Sequence, residues 1–280
     1  MAVAYASIAA ATDLAGDITI TKPTGLAAGD LMVAFIAQHD TGTAASLTGW
    51  TSLGSQADAG NRVFTVLFRV ADSADAAAAD FTFTCAGNEK VGVLVRVTGS
   101  GFTDADNFQV SIPAFIAGDS TPTFTPGVSV ISTSDLLIMC IADDTIGGIS
   151  AYAVATNNPT WTERTDTQLD STEDWQVGVA TATPTASGAT GDFSATATGT
   201  NAIFGALISI TENTNQTVNA AVLSAAFTVQ EPSLTSVPAA QTPAVISLVS
   251  SVQAPAVAAA AQDWNNQSKS STTWTNASKS

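Results

Sequence analysis

The residues that could do chemistry are few. The chain has one histidine, His39, followed by Asp40, and two cysteines, Cys85 and Cys140. A Ser–His–Asp triad would have to use His39, and no Gly-x-Ser-x-Gly stands near a strand-to-helix turn. A lone histidine cannot build a histidine metal site. Two cysteines 55 positions apart lack the spacing of a thiolate site. Neighbouring carboxylates, Asp143-Asp144 and Glu173-Asp174, are the residue types that cleave glycosides in pairs, but in loops of an acidic chain they read as solvated surface. Asp104-Ala-Asp-Asn107 spaces oxygen donors as a calcium loop does, without the glycine and closing glutamate of that loop. Neither Gly-rich phosphate loop occurs. The expectation is a non-enzymatic protein with no cofactor and no metal. Trp50 and Trp161 are the remaining candidates: each follows a turn-like stretch, and each is either core packing or a platform for a sugar ring.

Such residues would have to be positioned by strands. Asp17–Thr21, Leu31–Ala37, Val63–Ala71, Phe81–Cys85 and Val91–Thr98 are short, rich in β-branched and aromatic residues, and bounded by Gly, Pro, Asp and Asn. Phe81-Thr-Phe-Thr alternates as a half-buried strand does. No stretch of helical periodicity is long enough for more than a turn, which Ala76–Ala79 could supply before Asp80.

The pattern then repeats. GDLMVAFIA from Gly29 matches SDLLIMCIA from Ser134, GWTSLGS from Gly49 matches TWTERTD from Thr160, RVFTVLFRVA from Arg62 matches DWQVGVATAT from Asp174, DFTFT from Asp80 matches DFSAT from Asp192, and VGVLVRVTG from Val91 matches FGALISITE from Phe204. The offset is 105 at Asp30/Asp135 and grows through 111, 112 and 113 at Trp50/Trp161, Phe81/Phe193 and Gly92/Gly205. Self-similarity at a fixed period and in constant order signals duplication. The expected fold is all-β, an antiparallel, jelly-roll-like β-sandwich over residues 1–212 built from two repeated six-strand units, about 17–100 and 121–212. Each unit could close its own small sandwich, or both could share one. The apolar join Ser100–Thr121, with Phe102, Phe108, Ile112, Phe115 and Ile116, favours the shared sandwich.

Charge divides the chain. It carries 24 acidic and 8 basic residues, net −16. Residues 213–280 hold Glu231, Asp263, Lys269 and Lys279 and are neutral, so the whole excess falls in residues 1–212. Such a surface repels phosphate backbones and anionic lipid heads, which argues against nucleic-acid and membrane partners. The first basic residue is Lys22, so the positive start of a secretory signal is missing. No 18-residue apolar run suggests a membrane span. Cytosolic synthesis with free, buried thiols is expected.

From Asn213 to Gln262 there is no Lys or Arg. Pro232, Pro238, Pro243 and Pro255 fall there, and VQEP at Val229 echoes VQAP at Val252. This composition reads as an extended linker or strap over 213–262. Residues 263–280 repeat Trp-x-Asn-x-Ser-Lys-Ser from Trp264 and again from Trp274. Trp264, Lys269, Trp274 and Lys279 are therefore candidate assembly residues, because tryptophan is a frequent interface anchor.

Two units of (G/S)-D-L plus apolar run, (G/T)-W-T and DFTFT-like strand, followed by Val-Gln-x-Pro repeats and a terminal Trp-x-Asn-x-Ser-Lys-Ser pair, resemble the structural proteins of tailed-bacteriophage virions, of the appendage, fibre or capsid-associated kind. The resemblance implies a virion component made in the host cytoplasm. Its partners would be other copies of itself, as a homotrimer, and other virion proteins, with a host-surface glycan as a further possibility. The alternative from the residues themselves is a glycan-binding adhesin module on a virion or a bacterial surface.

Overall fold

The computed structural model describes residues 3–39, 42–99, 102, 108–171, 174–198 and 202–211, all within the compact unit Met1–Ala220. Trp264, Lys269, Trp274, Lys279, Asp40, Glu173 and the Asp104–Asn107 motif lie outside the described residues. The chain is mostly antiparallel β. Its first half runs β1 (Ala4–Asp13), β2 (Ile18–Thr21), β3 (Leu31–Gln38), β4 (Thr51–Ala57), β5 (Val63–Val70), α1 (Ser73–Ala77), β6 (Asp80–Phe83) and β7 (Lys90–Thr98). The second half runs β8 (Phe108–Ser111), β9 (Ile116–Ala117), β10 (Thr123–Phe124), β11 (Ser129–Val130), β12 (Leu136–Asp143), β13 (Ser150–Val154), β14 (Thr162–Leu169), β15 (Trp175–Ala182), β16 (Gly188–Ala189), β17 (Phe193–Thr196) and β18 (Ala202–Ile210). The five strands read from the first half are present. α1 is a single capped turn, with Asp72 Oδ1 accepting from the amides of Ala74 at 2.7 Å and Asp75 at 2.9 Å.

One large sheet has the order β1-β7-β3-β5-β4, and the other has the order β14-β15-β12-β18-β8, with β9 also pairing β18. Small sheets accompany them: β2-β6 in the first half, and β10-β17-β13 with β11-β16 in the second. The core has three apolar layers between four layers of sheet, and the central one takes residues from both large sheets. Leu31, Val33, Phe35 and Ala37 of β3 share the central layer with Leu136, Ile138, Cys140 and Ala142 of β12. The intervening residues Met32, Ala34 and Ile36 pack outward under β2-β6. Leu137, Met139 and Ile141 pack outward under β10-β17-β13. The physical reason is visible in the unbroken apolar runs of β3, β12 and β18, every residue of which is buried. A strand apolar on both faces must be covered on both.

Close approach of the small sheets is permitted by two glycines. A Cβ on Gly92 of β7 would lie 2.8 Å from Ile20 Cδ1, and one on Gly205 of β18 would lie 2.8 Å from the Phe124 ring. Both positions need a residue without a side chain so that a large apolar group can lie flat on the sheet.

The join between the halves is structural. Phe102 and Phe108 are buried in the central layer, and Ile112 and Phe115 pack against it. Ile36 of β3 faces Thr65 on β5, and Ile141 of β12 faces Gly178 on β15.

Candidate functional site

The titratable residues that sequence reasoning set aside as surface converge at one pole of the two large sheets. Asp143 ends β12 and Asp144 follows it. Both are buried, Asp143 completely, which corrects their reading as solvated loop acids. His39 is a loop residue just past β3, yet it is buried. The cause is positional: His39 and Asp144 leave the ends of the two central strands, so both enter the seam between the sheets.

Arg62 immediately precedes β5 and spans that seam. Its Nη1 lies 2.8 Å from Asp58 Oδ2 on its own turn, and its Nε lies 2.6 Å from Asp144 Oδ2. Asp144 Oδ1 accepts from the amide of Ala202 at 3.0 Å. Burial pushes the Asp144 carboxyl above the ordinary carboxylate range, and the Arg62 guanidinium opposes that shift without cancelling it. Beside this pair, His39 Nδ1 is 3.9 Å from Glu89 Oε2, and Ser171 Oγ donates to Glu89 Oε1 at 3.3 Å. Gln176 Nε2 donates to Asp143 Oδ2 at 3.1 Å, while its Oε1 accepts from the amides of Gly147 and Gly148 at 3.1 and 2.8 Å. Lys90 is fully buried and its ammonium donates to the carbonyls of Gly87, at 3.0 Å, and Asn88.

These contacts are a polar clasp. Arg62 is met by two carboxylates, Lys90 by backbone carbonyls and Asp143 by the Gln176 amide, and two contacts, Arg62–Asp144 and Ser171–Glu89, cross from one half of the chain to the other. Nothing in the sequence pattern marks this set, because its members are scattered over more than 140 positions and only the seam unites them.

A second carboxylate recurs at the start of each central strand. Asp30 Oδ2 accepts from the amide of Ala27 at 2.8 Å and from Arg96 Nε at 2.7 Å. Asp135 Oδ2 accepts from the amides of Ile131 and Ser132 at 2.9 and 3.2 Å and from Ser209 Oγ at 3.1 Å. The guanidinium of the first half is replaced by a hydroxyl in the second.

The two tryptophans sit apart from the clasp. Trp50 meets Phe81 and Phe83 edge-on, with ring centroids 5.8 and 5.0 Å away, so its ring contributes to the outer core under β2-β6. Trp161 is half-buried against the outer core of the second half, and its Nε1 donates to Asn158 Oδ1 at 3.0 Å.

Cys85 and Cys140 are free thiols. Cys140 is fully buried in β12. Cys85 lies just past β6 rather than in a strand, its amide donating to Asp17 Oδ1 at 3.0 Å. Burial raises the Cys85 thiol to about 11 and the Cys140 thiol well above its usual value. Ellman's reagent at pH 8 should therefore modify native Cys85 roughly 100-fold more slowly than an exposed cysteine, because the thiolate is the nucleophile. Cys140 should react only after unfolding. Fast modification of both thiols in the native state would contradict this burial.

No protein-family model, no curated protein and no solved structure matches this chain.

Proposed function

We propose that this chain is a non-enzymatic structural component of a tailed-phage virion. In this reading residues 1–212 form an outward-facing duplicated jelly-roll region, and residues 213–280 attach it to the particle and to its own copies. Duplication is supported by topology. Taken in chain order, β1, β3, β4, β5 and β7 correspond to β8, β12, β14, β15 and β18, and these sets have the same order in their sheets. The Ser46–Thr84 bridge of the first half has its counterpart in the Ser150–Thr196 pair of the second. A jelly-roll reading is supported by the last strand of each half lying inside its sheet, β7 between β1 and β3 and β18 between β8 and β12, while the penultimate strand joins a small sheet, β6 with β2 and β17 with β10 and β13.

The observation that carries the non-catalytic reading is the commitment of His39, Asp143, Asp144 and Glu89 to contacts at a buried seam. The attachment role rests on the tail composition. Ordering an extended segment costs roughly 1–2 kcal/mol per residue in backbone entropy, so the tail needs an extensive contact to become ordered. Trp264 and Trp274 would anchor it, and Lys269 and Lys279 would meet the acidic surface of a neighbouring copy. Deleting Asp263–Ser280 should leave β-sheet circular dichroism and thermal unfolding of the remaining chain unchanged. It should also convert a trimer to a monomer in sedimentation velocity. A truncated chain that sediments as the full-length assembly does would overturn the attachment role.

A further inference from the structure

Arg164 stands apart from the other arginines. Arg62 is held by Asp58 and Asp144, Arg69 by Asp72 and Asp75, and Arg96 by Asp30. Among the described residues no carboxylate pairs with Arg164, in a chain with 24 acidic residues. Its Nε donates instead to Thr181 Oγ1 at 2.7 Å, and its guanidinium carbon lies 4.1 Å from the centroid of the Tyr5 ring. Tyr5 and Thr181 thus fix the orientation of a cation that has no counter-ion among the described residues.

Arg164 lines a groove of about 450 Å³ between β1 and the adjoining parts of β14 and β15. This is within the roughly 300–1,000 Å³ of small-molecule sites. Arg164 is the only charged residue among the described groove walls, which otherwise present Tyr5, Thr160, Thr162, Thr181 and Thr183 beside apolar groups. Thr162 and Thr181 are direct cross-strand partners. Thr160 stands two residues before Thr162, and Thr183 two residues after Thr181, and all four line the groove. Neither Trp50 nor Trp161 lines this groove.

A threonine hydroxyl both donates and accepts, which suits a ligand rich in hydroxyls. An oriented guanidinium suits a carboxylate, which it can meet with two parallel hydrogen bonds. A single cation in a chain of net charge −16 matches one negative charge per binding unit and disfavours the dense charge of a phosphate polymer. We infer that this groove binds a saccharide bearing a carboxylate, with Arg164 taking the carboxylate and the exposed hydroxyls of Thr160, Thr162 and Thr183 taking ring hydroxyls. This site is independent of the attachment role of the tail, so either can fail without the other.

The test is calorimetry on the full chain with trigalacturonate, its methyl ester and acetate as probes. Trigalacturonate should bind at least about tenfold more tightly than the ester, because esterification removes the charge that Arg164 meets. Arg164→Gln should remove that preference. Thr183→Val, at an exposed position off the strands, should weaken trigalacturonate severalfold without changing circular dichroism, and it keeps the test decisive should the arginine variant misfold. Equal affinity for acid and ester would overturn the inference. So would acetate binding as well as trigalacturonate, an unchanged affinity in Thr183→Val, or no heat of binding at concentrations up to about 10 mM, the weak limit for a specific site.

Discussion

Phe204→Ala should destabilise the folded chain by about 4 kcal/mol, the middle of the range for emptying a buried phenylalanine site. Phe204 lies on β18, is fully buried, and faces the central layer. Its ring centroid is 6.2 Å from that of Phe64 on β5, 6.2 Å from Trp175 on β15 and 5.8 Å from Phe115 in the join. One ring therefore touches the opposite large sheet, its own sheet and the connection between them. Removing it opens a cavity that close-packed neighbours refill only in part. For a domain of this size the midpoint of thermal unfolding should fall by roughly 8–16 °C. The loss should appear as a single shifted transition, because both halves share the layer. Ile131→Ala is the matched control: Ile131 is 58% exposed, and its truncation should change stability by no more than about 0.5 kcal/mol. If the two variants unfold alike, or if Phe204→Ala splits unfolding into two transitions, the large sheets do not share one core.

Arg62→Ala should cost about 3 kcal/mol near neutral pH, the lower end for removing one partner of a buried ion pair. The lower end applies because the Arg62 side chain keeps 21% of its exposure while Asp144 keeps 5%. The variant leaves Asp144 buried without its guanidinium and leaves Asp58 with only the amides of Gly60 and Arg62. The penalty should depend on pH, and its sign follows from Asp144. Its carboxyl is raised in the folded protein, so the folded state binds a proton more readily than the unfolded chain. Its contribution to stability is full below the unfolded carboxylate value and is lost as pH rises through the raised folded value. Without Arg62 the shift should be larger, since the cation was the main group opposing it. Denaturant unfolding should show the gap between wild type and Arg62→Ala narrowing as pH is lowered from 7 toward the carboxylate range. A gap that widens on acidification would mean that Asp144 is not the charge left stranded.

Much of the fold was legible in residue types. Ile18–Thr21, Leu31–Gln38, Val63–Val70 and Lys90–Thr98 are β-branched and aromatic runs between turn residues, and a chain of that kind forms strands almost wherever it packs. Other strands were not legible. β1 is AYASIAAATD, whose alanines have weak strand preference. It is extended because β7 offers it an antiparallel ladder from Ala4–Thr98 to Asp13–Lys90, broken only by a register shift between Tyr5 and Ser7. β14, TERTDTQL, is a polar edge strand held by β15 in the same way.

The site was less legible than the fold. Carboxylates in an acidic chain look alike in sequence, and average behaviour assigns all of them to solvent. Asp144 and Asp143 depart from that average because the chain leaves β12 inside the seam where the large sheets meet, and Arg62 reaches the same point from β5. Arg164 is set apart only by what surrounds it: two strands, β1 and β14, distant in sequence, bring Tyr5 beneath its guanidinium and keep every carboxylate among the described residues out of pairing distance. Local residue pattern determined the β-branched and aromatic strands, since strand preference depends on residue type and on neighbours a few positions away. The stacking of four layers, the burial of the clasp and the isolation of one arginine were decided by tertiary structure, because burial and charge pairing depend on groups that approach only when distant strands pack.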